Sequence, residues 1–369
     1  MTPRQSAAST EVTNAWDLLV KRDELSQTTL VEVETPEPGR GEVLLQVDRV
    51  GMTANNVTYA LAGDLLNYWS FFPAHDGWGR VPLWGFADVV RSETDDVPIG
   101  TRLYGYLPTS SHVVVKPTGV AAHGFKDGSD HRAGLDSAYN IYASTAGDPS
   151  YVSEHEDLQI LYRPLFITSF MLDDFLTDNG FFGAAQIVTS SASSKTAYAT
   201  AFCIARREPR PRLIALTSPR NVAFTRTLPY DNVVTYDDLE SIPAGTPTLY
   251  LDLAGNHGVR ARVHSHLGES LVYDCLVGVT HQESLDSDDD LPGPEPVFFF
   301  APSQISKRRK DWGPGGIEQR YGEAWRAFVP VVADWVEVRQ ADGPEGLRAA
   351  WLEMLGGRSD PKTGLVISL

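Results

Sequence analysis

From about Gln186 the chain alternates short apolar runs with segments of helix length, and this rhythm constrains the fold more than any other feature. Ile187-Val188-Thr189, Leu213-Ile214-Ala215-Leu216, Val233-Val234-Thr235, Leu249-Tyr250-Leu251-Asp252 and Leu271-Val272-Tyr273-Asp274 read as strands. Ser193 to Ala205, Asn221 to Leu228 and His257 to His266 read as helices. Strands separated by helices are too far apart in sequence for tight hairpins. They pair in parallel, through right-handed crossovers. The pattern therefore predicts an α/β chain with a doubly wound parallel sheet.

Before this region the text is different. Val31 to Glu34, Val43 to Val47, Phe86 to Val90, Arg102 to Tyr106 and Ser111 to Val115 are short strands broken by Pro and Gly, which predicts a small barrel or sandwich. After it, Ile317 to Met354 is helix-rich, with Trp325, Phe328, Val331, Val332 and Trp335 near helical spacing, and is expected to pack back on the first domain. A length of 369 residues suits two domains. The formal charge of −17 argues against nucleic acid and anionic lipid as partners, since the long-range field repels both. The two cysteines, Cys203 and Cys275, lie in apolar segments, and Met1 to Asn14 carries no apolar leader. A cytoplasmic protein acting on small molecules, outside the membrane, is expected. Glu283 to Pro296, rich in Ser, Asp, Pro and Gly, reads as an exposed loop.

Three strings give the first half a resemblance: Gly51-Met52-Thr53-Ala54-Asn55-Asn56-Val57-Thr58-Tyr59, Pro82 to Val90, and Ile99-Gly100-Thr101-Arg102-Leu103. With the order of the elements, they resemble the medium-chain dehydrogenase/reductase superfamily, in particular its quinone-oxidoreductase branch, and a bacterial group of unknown function within it. The resemblance implies a GroES-like β-rich substrate domain at 1–160, a Rossmann nucleotide-binding domain at 161–297, and a segment at 298–369 that returns to the substrate domain. It also implies a homodimer, joined through a strand of the Rossmann sheet. Zinc-dependent relatives place a cysteine in the first string and Gly-His-Glu in the second, because a catalytic zinc needs three converging ligands. Here those places hold Thr53, Asn56, Trp84 and Phe86, so no metal is expected.

The first crossover reads Thr189-Ser190-Ser191-Ala192-Ser193-Ser194-Lys195-Thr196-Ala197. Glycines normally let backbone approach a pyrophosphate here. Hydroxyls of Ser190, Ser191, Ser193, Ser194 and Thr196 can donate to phosphate instead, with Lys195 as a point charge; the alternative is that they cap the helix. After the next strand comes Thr217-Ser218-Pro219-Arg220, with no carboxylate to take ribose hydroxyls. That favours NADP over NAD, with Arg220 on the extra phosphate and Thr217 and Ser218 beside it, unless Arg220 is simply a surface arginine. By resemblance, the turns at Asp252 and Gly278 flank the ribose and nicotinamide, although Asp252 could equally cap a helix.

A run of aromatics, among them Tyr59, Tyr68, Trp69 and Trp84, is either core or the wall of a cleft for a flat acceptor. Tyr59 is the candidate proton or hydrogen-bond donor, and Asn55 and Asn56 candidate holders of the same oxygen. Gln304 and Lys307, near the basic run Lys307 to Lys310, are either contacts for an anionic substrate group or a solvated helix face. The expected activity is a metal-independent, NADPH-dependent reduction of an enone, quinone or thioester-conjugated alkene. The rival is a non-redox descendant that kept the fold and lost tight dinucleotide binding.

Overall fold

The computed structural model describes residues 15–277, 291–357 and 360–369. The chain forms two units: Met1–Tyr151 with Arg339–Ser359 and Leu365–Leu369, and Val152–Val338 with Asp360–Gly364.

The first unit contains β1 (Ala15–Lys21), β2 (Glu24–Val33), β3 (Val43–Met52), α1 (Ala54–Leu61), β4 (Trp78–Gly79), β5 (Leu83–Ser92), β6 (Arg102–Leu107), β7 (His112–Val115), β8 (Pro117–Ala121), β9 (Gly124–Asp127) and β10 (Ile141–Ser144). β3 organises it. One edge of β3 pairs antiparallel with β5 from Val43 to Gly51, with two bulges that bend the strand. Its other edge takes β7 over Val43–Gln46. Val43, Leu45, Val47 and Val50 are buried there, as expected of a strand covered on both sides.

The second unit holds α2 (Glu156–Asp178), β11 (Gln186–Thr189), α3 (Lys195–Ala205), β12 (Arg212–Thr217), α4 (Val222–Thr225), β13 (Asn232–Thr235), β14 (Thr248–Asp252), α5 (His257–Leu267), β15 (Leu271–Leu276), β16 (Pro296–Phe298), α6 (Ala301–Trp312) and α7 (Gly316–Ala333). Its sheet runs β13-β12-β11-β14-β15-β16, parallel throughout. The order reverses between β11 and β14. In doubly wound sheets, that point leaves a crevice at the carboxyl ends of the strands, where ligands settle.

The chain then passes through β17 (Glu337–Asp342), α8 (Gly343–Leu355) and β18 (Thr363–Ser368). β18 completes the free edge of β3, from Leu365↔Met52 to Ser368↔Arg49. Leu347, Ala350 and Trp351 of α8 join the same buried cluster as Leu18, Val43 and Leu83.

Two boundaries differ from those read in the sequence. The first unit ends at Tyr151 rather than 160, because α2 packs on α3, α6 and α7 as part of the second unit. The segment expected to leave at 298 stays with the second unit as far as Val338, since Phe299 and Ile317 belong to its core. Only from Arg339 does the chain return. The loop read at Glu283 to Pro296 lies outside the described residues up to 290.

Candidate functional site

At the first crossover of the second unit, one serine adopts the backbone geometry that a glycine usually supplies. Ser191 sits at φ +49, in the left-handed region that disfavours a side chain. Its N–H donates to the Tyr236 hydroxyl at 2.8 Å, and Tyr230 donates to the Ala192 carbonyl at 3.0 Å. Ser193 Oγ accepts from Asn221 Nδ2 at 3.0 Å. Ser194 is the N-cap of α3, but its side chain makes no capping bond. The carbonyl of Thr196 accepts from Ser169 and Thr200. Lys195 turns away from the crossover: its Nζ donates to the carbonyls of Thr363 at 2.9 Å and Pro361 at 3.4 Å. Burial lowers its pKa to about 8.

Beneath this turn lies a buried ionic quartet. Asp252 Oδ2 accepts from Arg260 Nε at 3.0 Å and Nη2 at 2.7 Å. Its Oδ1 accepts from Ser190 Oγ at 2.9 Å and from the N–H groups of Ala254 and Gly255. Ser190 Oγ in turn accepts the N–H groups of Leu253 and Ala254 at 3.0 Å. Farther in, His264 Nε2 meets Asp274 Oδ2 at 2.8 Å, while Nδ1 meets the Pro292 carbonyl at 2.9 Å. Burial opposes the charged ring, but acceptors at both nitrogens outweigh it and raise the His264 pKa. Arg260, Asp252, His264 and Asp274 are thus joined in one buried polar network.

This network corrects two expectations. Asp252 and Ser190, both 0% exposed, are committed to each other and to the turn they shape, so neither side chain is available to a ribose or a phosphate. Asp252 does not cap α5 either; Asn256 does, accepting from Val259. Gly278 lies outside the described residues.

At the end of β12, Thr217 is buried, Ser218 is half-buried and Arg220 is exposed. Among the described residues, Arg220 meets no acidic partner. Asn221 was not anticipated from sequence; it ties this second turn to the first.

The first unit holds a compact aromatic group. Tyr59, Phe71, Phe72 and Tyr106 are buried together, with Tyr68, Trp84 and Tyr139 against them. The Tyr59 oxygen accepts from Asn55 Nδ2 at 2.7 Å and Trp84 Nε1 at 3.2 Å. Burial raises the Tyr59 pKa, so the phenol keeps its proton. Tyr68 and Tyr139 share a hydrogen bond of 3.1 Å between their hydroxyls. Tyr106 Oη is buried and, among the described residues, has no hydrogen-bond partner. Tyr106 and Tyr139 had no sequence signal, because their contacts with Tyr59 are tertiary and follow no periodicity.

Other expectations fail here for identifiable reasons. Asn56 spends both ends of its amide on structure: Oδ1 accepts the Thr53 N–H at 2.7 Å and Nδ2 donates to Pro82 at 2.9 Å, a capping box that starts α1. Trp69 is core rather than cleft wall; a Cβ on Gly63 or Gly79 would fall 2.1 or 2.3 Å from its ring, so the two glycines make its slot. In the second unit, Gln304 donates to Asp174 and Lys307 to Asp178, both on α2, so these side chains fasten α6 down rather than face a substrate.

Among the described residues, no group of three or more His, Cys, Asp or Glu side chains could hold a metal ion, and no helix is long and apolar enough to cross a membrane.

The antiparallel β-rich unit and the doubly wound parallel sheet give the chain the GroES-like and Rossmann fold expected from the sequence, and solved reductases share it. The chain belongs to the family described as protein of unknown function DUF2855, whose model matches residues 50–360. CurA from Vibrio vulnificus, also solved in complex with NADPH, is 14% identical with a TM-score of 0.61, over 96% of this chain and 98% of its own. A putative NADPH:quinone reductase from Mesorhizobium loti is 12% identical with a TM-score of 0.62, over 98% and 100%. The quinone oxidoreductase from Coxiella burnetii is 14% identical with a TM-score of 0.51, over 97% and 100%. No curated protein sequence matches the chain.

Proposed function

We propose that this protein is an NADPH-dependent reductase that acts, without a metal, on an enone, quinone or thioester-conjugated alkene. The observation that carries the reading is the end of β12: it offers Ser218 and an exposed Arg220, and no carboxylate follows the strand. An acidic residue there would accept from ribose hydroxyls and repel a 2′-phosphate, whereas a guanidinium grips it in bidentate fashion. The left-handed Ser191 and the uncapped first turn of α3 fit a pyrophosphate, which draws on free N–H groups and the helix dipole. CurA, which shares the fold, has been solved with NADPH.

Bound nicotinamide would supply the hydride; the chain's residues bind, orient and polarise. Tyr59 is the proposed donor to the acceptor carbonyl. Two donors already occupy its oxygen, so its own proton is the one it can give, and its raised pKa makes it a hydrogen-bond donor rather than a base. Asn55 and Trp84 fix its position, and Tyr68 lines the same aromatic group.

Calorimetric titration tests the cofactor assignment. NADPH is expected to bind more tightly than NADH, and Arg220→Ala to weaken NADPH about tenfold or more while leaving NADH nearly unchanged. Equal weakening of both removes the basis for the choice.

A second reading is favoured by one set of contacts: Ser190, Ser193, Lys195 and the Ser191 N–H all have protein partners already. On that reading the chain is a non-redox protein that has lost tight dinucleotide binding. Failure of both cofactors to bind more tightly than about millimolar, only ~4 kcal/mol, would favour it.

We also propose a homodimer. β16 is an edge strand whose Val297 and Phe298, with Phe300 beyond it, are 44%, 50% and 51% exposed. An apolar edge with no further strand among the described residues invites pairing, and a second copy of β16 would cover it symmetrically. Sedimentation at the monomer mass at micromolar concentration would reject this.

A further inference from the structure

Lys195 bonds to the carbonyls of Pro361 and Thr363, which flank Lys362, so the main chain is held on both sides of that residue. Asp360 tightens the same turn. Its Oδ1 accepts the Lys362 N–H at 2.9 Å, and its carbonyl accepts the Thr363 N–H at 2.9 Å. From this anchored turn the Lys362 side chain extends over the ring of Phe224, with Nζ 5.7 Å from the ring centre.

Phe224 is itself a fixed platform. It is 4% exposed and meets Tyr198 edge-on at 6.0 Å. It stands four positions after Arg220, in the α4 that follows directly on the short helix Pro219–Asn221. Lys362 over the Phe224 ring and Arg220 four positions before Phe224 thus belong to the same short helical segment and the turn laid on it, although far apart in sequence. Both side chains are exposed, and among the described residues neither meets a carboxylate. The Asn221 bond to Ser193 joins this patch to the first crossover. In a chain of formal charge −17, an anion must be held by cations placed locally, because the overall field repels it.

We propose that Arg220 and Lys362 together recognise the 2′-phosphate of the dinucleotide, and that Lys195 is a positioning residue that presents Lys362. The proposal rests on the dinucleotide reading above and deepens it. Arg220 supplies the planar, bidentate contact; Lys362 supplies a point charge, delivered by a distant part of the chain. Lys195, the cation closest in sequence to the crossover, acts here through backbone carbonyls instead of touching phosphate.

The test is calorimetric titration of the full chain with two probes, 2′-phospho-ADP-ribose and ADP-ribose, which need no turnover. Lys362→Ala is expected to weaken the phosphorylated probe about tenfold and leave ADP-ribose unchanged; Lys362→Arg should retain most of the affinity. Lys195→Met should reproduce the selective loss, whereas a merely structural role would weaken both probes alike. Because Lys362 is exposed, its variants isolate binding from folding. Unchanged affinity of Lys362→Ala for the phosphorylated probe, or equal loss for both probes, overturns this inference and leaves the dinucleotide reading standing. Wild-type protein that binds neither probe overturns both.

Discussion

Replacing Arg260 with alanine is expected to destabilise the second unit by about 3–5 kcal/mol, the cost of stranding a buried carboxylate. Asp252 is 0% exposed and receives two of its hydrogen bonds from Arg260. With the guanidinium gone, the buried carboxylate is left without its ion-pair partner, and its hold on Ser190, Ala254 and Gly255 weakens. The loss loosens the carboxyl ends of β11 and β14 together. Urea denaturation measures the loss, and a change below about 1 kcal/mol would show that the quartet does not secure the end of the sheet. Arg260→Leu should be nearly as harmful as Arg260→Ala, since restoring volume does not restore charge.

In the first unit, the largest loss is expected from Trp351→Ala, again about 3–5 kcal/mol. The Trp351 ring is fully buried among residues of β1, β3 and β5, and its Nε1 donates to the Leu25 carbonyl at 2.9 Å. Truncation removes the packing and leaves that carbonyl short of a donor. Trp351→Phe should recover most of the packing and lose only the hydrogen bond, so the difference between the variants separates the two contributions. An alanine variant within about 1 kcal/mol of wild type would mean that α8 is not part of this core.

The second unit was legible because parallel strands buried on both faces are written as unbroken apolar runs. Those runs and the intervening helical spacing give β11 to β15 in the right order. α2 escaped notice for the opposite reason. Its buried residues include Leu158, Ile160, Leu161, Tyr162, Phe166, Met171 and even Asp173 and Asp174, so no clean polar face marks it as amphipathic. That omission had a consequence elsewhere. With Asp174 and Asp178 unplaced, the bases near Lys307 look uncommitted, and an anion site is the natural reading; α2 supplies their partners.

The candidate site was legible where its parts are local. Arg220 and the serine-rich turn stand beside the strands that position them. Lys362 and Tyr139 reach their neighbours only through the folded chain, and Asn56 shows the reverse hazard. A polar side chain in a promising string belongs to the capping of α1, a role visible only when the helix start is located.

The discontinuity of the first unit also orders biosynthesis. Strands β1 to β10 leave the ribosome early, yet the Trp351 that seals their core follows Leu25 by 326 residues. Meanwhile nearly the whole of Val152–Val338 has been translated and can collapse on its own. The nascent β-rich unit therefore waits, its apolar face open, until α8 emerges. During that interval a holdase chaperone has most to protect.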